Sequence, residues 1–123
     1  MLVKVKRAYD EISDQDGIRI LVDRIWPRGI SKQRIKVDYW MKQLAPSTEL
    51  RKWFNHDVEK FEQFKVKYME ELKYDKEKIK EFTKLVTIIK ETHSPVTLIY
   101  GAKNKKYNQA VVLKEILLTQ ENL

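Results

Sequence analysis

Apolar and basic residues alternate in Leu2-Val3-Lys4-Val5-Lys6, and this period of two predicts a strand over 2–6. A polar turn cluster, Ser13 to Gly17, separates it from Ile18-Arg19-Ile20-Leu21-Val22. That second run is rich in β-branched residues and predicts a largely buried strand over 18–23. It ends at Asp23-Arg24-Ile25-Trp26-Pro27-Arg28-Gly29, where proline has no amide hydrogen to offer a ladder. Helical spacing follows. Ser31 caps a short turn, and Val37, Trp40, Met41 and Leu44 predict one helical face until Ala45-Pro46 breaks it. Ser47 is the N-cap candidate of a helix over 48–54, and Asp57 that of a longer helix with Phe61, Phe64, Tyr68 and Leu72 as its apolar stripe. Asp75 opens another, with Ile79, Phe82, Val86 and Ile89 on one face. Pro95 then precedes Val96-Thr97-Leu98-Ile99-Tyr100, a continuous apolar run that suits a central strand. A last helix is expected from about Lys105 to Thr119, burying Ala110, Leu113 and Leu117.

Strands at both ends with helices between them predict an α/β fold: a small, largely parallel sheet with helices packed on it, in a single domain over 1–123. About seventy residues separate the second strand from the last, enough for a crossover that leaves the two parallel. The length agrees, since domains typically run ~100–200 residues.

Composition narrows the chemistry. The 123 residues hold 25 Lys+Arg against 18 Asp+Glu, a formal charge of +7, and no cysteine. Disulfides, thiolate metal sites and cysteine nucleophiles are thereby excluded, which fits a reducing compartment. No run approaches the ~20 apolar residues of a membrane span, and MLVKVKRAYD turns charged too early for a signal peptide. The expectation is a cytoplasmic protein without a membrane partner. Basic residues are dispersed: 1–40 carry nine against six acidic, 41–72 six of each, and the rest ten against six. Lys76, Lys78, Lys80 and Lys84 alternate with Asp75, Glu77 and Glu81, the pattern of a solvated helix face. The arginines differ. Arg7, Arg19, Arg24, Arg28 and Arg34 crowd the first third, followed only by Arg51, and a guanidinium fork suits carboxylate or phosphate.

Ligands of open parallel sheets bind beyond the carboxyl ends of the strands. Two loops qualify: Asp23 to Gly29, and Tyr100 to Asn108 ahead of the last helix. Together they offer Arg24, Arg28, lysines, Asp23, Asn104 and Asn108. The bland alternative is that Asp23 and Arg24 pair locally while Trp26 and Pro27 cover the core edge. In the middle segment, Arg51 stands one helical turn after Ser47, so both are expected at one ligand edge, although Ser47 also serves simply as a cap. His56 follows a helix end, where a histidine caps more often than it catalyses. Gly-x-Gly-x-x-Gly, Gly-x-x-x-x-Gly-Lys-Ser/Thr and Gly-x-Ser-x-Gly are all absent. His56 and His93 lie 37 residues apart without a carboxylate motif, so no metal is expected, and nothing calls for a cofactor.

The stretches LVDRIWPRGISK, WMKQLAPSTELRKWFNHD, FKVKYMEEL and VTLIYGAKNKKYNQAVVLKEIL resemble, in that order, the YeaO-like proteins of the DUF488 group, over roughly residues 3–118. The resemblance implies a small bacterial or archaeal α/β protein and supplies no reaction. Position by position it selects Asp23, Arg24, Trp26, Pro27, Arg28, Gly29, Lys42, Pro46, Ser47, Leu50, Arg51, Trp53, Phe54, His56 and Asn108. The resemblance implies that longer relatives in the wider group carry Cys and His in the loop after the last strand; this chain has Tyr107-Asn108-Gln109 there, so thiol chemistry does not carry over.

Three functions compete. The first is a site for a small phosphate- or nucleotide-like anion: Arg24, Arg28 and Arg51 clamp it, Ser47 and Asn108 hydrogen-bond it, and Trp26 stacks on a flat portion. Asp23 and His56 are then the proton-transfer candidates, and whether chemistry occurs stays open. The second is nucleic-acid binding, suggested by a pI near 9.5 and by aromatics beside basic groups. The third is a protein–protein adaptor with a tryptophan-rich interface.

Overall fold

The computed structural model describes residues 2–119. Its sheet contains β1 (Val3–Arg7), β2 (Ile18–Leu21), β3 (Tyr39–Trp40) and β4 (Val96–Tyr100), ordered β1-β4-β2-β3 with every neighbouring pair parallel. β4 lies between β1 and β2, with Val96 opposite both Val3 and Ile18. All five β4 residues are buried, as expected of a strand that is apolar on both faces. The expected parallel pairing of the second and last strands is therefore observed. Pairing continues one residue beyond β2, where the Val22 N–H donates to Ile99 O at 3.0 Å.

The helices are α1 (Lys32–Ile35), α2 (Thr48–Phe54), α3 (Phe61–Tyr74), α4 (Lys76–Glu91) and α5 (Gln109–Thr119). Strand alternation sends Ile20, Val22, Leu98 and Tyr100 into one core with Phe54, Phe64, Tyr68, Leu85 and Leu113. Leu21 and Ile99 face the other way, into a smaller cluster with Ala8, Ile30 and Ile35. Helices α2–α5 thus cover one face, and α1 with its flanking loops covers the other. Among the described residues no helix is long and apolar enough to cross a membrane.

Local chemistry fixes several boundaries as read from sequence. Ser31, Ser47 and Asp75 each accept a first-turn backbone N–H, while Asp57 caps the 3-10 turn that leads into α3. Gly17 sits at φ 67°, and a Cβ there would come within 2.0 Å of Pro95 O, so only glycine lets β2 begin beside β4.

Three expectations need correction. Val37 to Leu44 is not a helix: α1 ends at Lys36 in a left-handed conformation (φ 46°), β3 follows, and Lys42–Leu44 forms a 3-10 turn. The free edge of β2 wins over helical spacing, because Asp38 N–H donates to Arg19 O at 2.8 Å and Met41 N–H to Leu21 O at 2.9 Å. The last helix starts at Gln109 rather than Lys105, since Asn104 Oδ1 accepts the Lys106 and Tyr107 N–H groups and folds that stretch into a turn. Lys78 is not on a solvated face. It is 3% exposed, with Nζ donating to Gln43 O at 3.2 Å, while Ile79 is 41% exposed. The inner face of α4 runs through Lys78, Leu85 and Ile89 with Phe82 and Val86 packed beside them, so of the expected stripe only Ile79 turns outward.

Candidate functional site

The loops after β1, β2 and β4 leave the same edge of the sheet, and the Ala45–His56 segment closes against them. Between them lies a cleft of about 490 Å³. Its wall includes Asp23, Arg24, Trp26 and Arg28 from the loop after β2, Arg51 and His56 from α2 and its end, and Asn108 before α5. Seven of the eight candidate binding and proton-transfer residues therefore line one cavity, across up to 85 positions of chain.

Ser47 is the exception. Its Oγ accepts the Leu50 N–H at 3.1 Å and donates to Glu71 Oε2 at 2.5 Å, while its N–H reaches Glu71 Oε1 at 2.8 Å. An N-cap hydroxyl turns back over its own first turn, and a carboxylate of α3 takes the remaining hydrogen. Ser47 and Arg51 are one turn apart, yet only Arg51 lines the cleft. Asn108 lines it but is 2% exposed, and its amide shapes the loop: Nδ2 donates to Asn104 O at 2.9 Å and Oδ1 accepts Val111 N–H at 3.0 Å.

Asp23 and Arg24 do not pair. Asp23 Oδ2 accepts the Gly101 N–H at 2.9 Å and Oδ1 accepts from Gln109 Nε2 at 2.5 Å. Burial pushes the Asp23 carboxyl up to about 6, against the opposing pull of Gly101, Gln109, Arg51 and His56. Arg24 Nε reaches Pro46 O at 3.4 Å. Among the described residues no carboxylate lies within ion-pairing distance of Arg24, Arg28 or Arg51.

Arg19 behaves differently. It is 3% exposed, with Nη1 2.6 Å from Asp16 Oδ2 and with Nε and Nη2 donating to Ile35 O. Burial alone would raise the Asp16 carboxyl, but the Ser13 backbone, Lys6 and Arg19 outweigh it and hold it below its ordinary value. Arg7 donates to Ala102 O at 3.0 Å and lies over the Tyr9 ring. The crowding of arginines in the first third thus combines scaffold and cleft groups.

Trp26 presents a fixed ring: Nε1 donates to Ile30 O at 2.7 Å and the indole meets Trp40 edge-on at 5.3 Å. Trp40 is itself tied to Asp23 O at 2.7 Å. Asn55 and His56 both adopt positive φ (46° and 56°), so the chain reverses sharply at the cleft rim. Tyr9 and Gln109 were not anticipated. Tyr9 lines the cleft and its hydroxyl donates to Arg28 O at 2.7 Å, bracing the loop after β2. The signal for Tyr9 was present, because the strand-end rule applies to β1 once it is known to be parallel to β4.

The chain matches, over residues 2–122, the family described as "Inactive DUF488-N3 subclade". It is 44% identical over 117 residues to the uncharacterized protein YeaO of Escherichia coli (strain K12), covering 95% of this chain and 97% of that one. It is 41% identical over 115 residues to the uncharacterized protein Rv3073c of Mycobacterium tuberculosis (strain ATCC 25618 / H37Rv), covering 94% and 92%. No solved structure matches it. A family match across nearly the whole chain, together with a relative at this identity, places the chain in the YeaO-like DUF488 family.

Proposed function

We propose that this chain binds a small anion, phosphate- or nucleotide-like, in the cleft beyond the carboxyl ends of the strands. Arg24, Arg28 and Arg51 hold the anion, and Trp26 faces its flat portion. One observation carries the reading: three arginines line one cavity, and among the described residues none has a carboxylate within ion-pairing distance. Guanidinium donors that the protein leaves without an ion-pair partner are suited to a ligand that brings its own charge.

Binding without turnover is the form this reading takes. The Asp23 carboxylate hydrogen-bonds only Gly101 and Gln109 among the described residues, so no hydroxyl nucleophile is poised beside it. The Ser47 hydroxyl is occupied by Glu71. The family description "Inactive" points the same way.

Calorimetric titration with inorganic phosphate and with sulfate tests the proposal. The expected result is saturation at one anion per chain, weakened in Arg51→Ala. Absence of heat and of any thermal shift at high millimolar anion overturns it. A single-stranded oligonucleotide that binds with a steep log-linear salt dependence, and is not displaced by either anion, would instead support nucleic-acid binding.

A further inference from the structure

Resting on the anion reading, we infer that the ligand is a nucleoside phosphate: one molecule carrying a phosphate, a flat ring and hydrogen-bond donors. Three features of the cleft demand more than a bare anion. The first is size. A volume of about 490 Å³ lies within the ~300–1,000 Å³ of sites for small organic molecules and leaves most of the space empty around a single phosphate.

The second is the aromatic wall. Trp26 and Tyr9 both line the cleft, and each has its polar atom tied to backbone, at Ile30 O and Arg28 O respectively. Their rings are therefore held in place before a ligand arrives, and a ring fixed in advance costs little entropy to stack upon. Arg28, whose carbonyl anchors Tyr9, also lines the cleft, so the loops after β1 and β2 set an aromatic ring and a cationic residue side by side.

The third feature is Asp23. An anion site gains nothing from a carboxylate in its wall. Both Asp23 oxygens accept from neutral donors, Gly101 N–H and the Gln109 amide, and each keeps a further lone pair. An acceptor in that position suits a ligand with O–H or N–H groups beside its phosphate, as a ribose or a base provides.

The experiment is a calorimetric comparison of the four nucleoside 5′-monophosphates with ribose 5-phosphate, inorganic phosphate and adenosine. At least one nucleotide is expected to bind ten times more tightly than ribose 5-phosphate, in keeping with the usual worth of base stacking on an aromatic side chain. Trp26→Leu should remove that margin while leaving ribose 5-phosphate affinity within about twofold. Tyr9→Leu serves the same purpose if the tryptophan variant does not fold, as judged by its near-ultraviolet circular dichroism. Ribose 5-phosphate and phosphate binding as tightly as every nucleotide would overturn the inference and leave the anion reading standing. If no phosphate compound binds, or adenosine binds as tightly as its monophosphate, both fall.

Discussion

The Asp23 carboxylate clasps the Gly101 amide at 2.9 Å across 78 positions of sequence, joining the loop after β2 to the loop after β4. A Cβ at residue 101 would stand 2.8 Å from Asp23 Oδ2, closer than such atoms approach. Gly101→Ala is expected to push the carboxylate away and lengthen this bond, at a cost of about 1 kcal/mol. Because the Gly101 N–H lowers the proton affinity of Asp23, its carboxyl should titrate above the parent's value of about 6. A carboxyl-carbon nuclear magnetic resonance titration reads this directly, and an unchanged curve would contradict the clasp.

The raised Asp23 pKa also governs stability. Its carboxyl moves from 3.8 to about 6 on folding, so between these values the folded chain holds the proton that the unfolded chain has lost. Asp23's contribution to stability therefore falls as pH rises from about 4 to 6 and is level above. The full difference is at most about 3 kcal/mol. Asp23→Asn should remove this slope, since an amide does not titrate, and should keep an oxygen to accept the Gly101 N–H. Urea melts of both proteins from pH 4 to 8 check it, and parallel stability curves would refute it.

The two classes of arginine should separate cleanly. Arg24→Ala, Arg28→Ala or Arg51→Ala should each weaken anion binding by ~1.5–3 kcal/mol, the worth of a charge-assisted hydrogen bond, with lysine restoring only part. Their melting temperatures should barely move. Arg19→Ala should instead cost roughly 2–4 kcal/mol of stability, a little under the ~3–5 of a broken buried pair, because Lys6 stays 3.1 Å from Asp16. Thermal melts with and without phosphate distinguish these outcomes. Equal destabilisation across all four variants would show that the cleft arginines are scaffold.

Ser47→Ala should behave as scaffold too. It removes an N-cap worth about 1 kcal/mol and one of the two bonds that Ser47 makes to Glu71. A stability loss of roughly 1–2 kcal/mol is expected, with anion affinity unchanged within twofold. A large affinity loss without loss of stability would return Ser47 to the cleft.

Short-range physics made much of the fold legible. The buried runs at 18–22 and 96–100, and the caps at Ser31, Ser47 and Asp75, depend on residues within one turn or one strand of each other. A long helical crossover then makes β2 and β4 parallel, and parallel strands put their following loops at one edge, which is why Arg24, Arg28 and Asn108 could be expected at one site. The resemblance to YeaO-like proteins selected those loops as well, along with Arg51 and His56.

Other properties turned on partners far away in sequence. Trp40 belongs to a strand because β2 has a free edge. Lys78 is buried because the turn at Gln43 offers its nitrogen a carbonyl. Arg19 is scaffold because Asp16 pairs with it at 2.6 Å, whereas Arg51 lines the cleft with no carboxylate among the described residues within ion-pairing distance, Asp23 acting on it only from farther off. Nothing within a few residues of Asp23 raises its pKa. Burial between two loops does, and burial exists only after residues 78 and 86 positions away have packed against it. Periodicity and capping are local, so the sequence by itself determined most of the elements, though not β3, and the edge at which a site would form. Ion pairing and desolvation are long-range, so only the tertiary structure decided which charged groups hold the fold and which face the cleft.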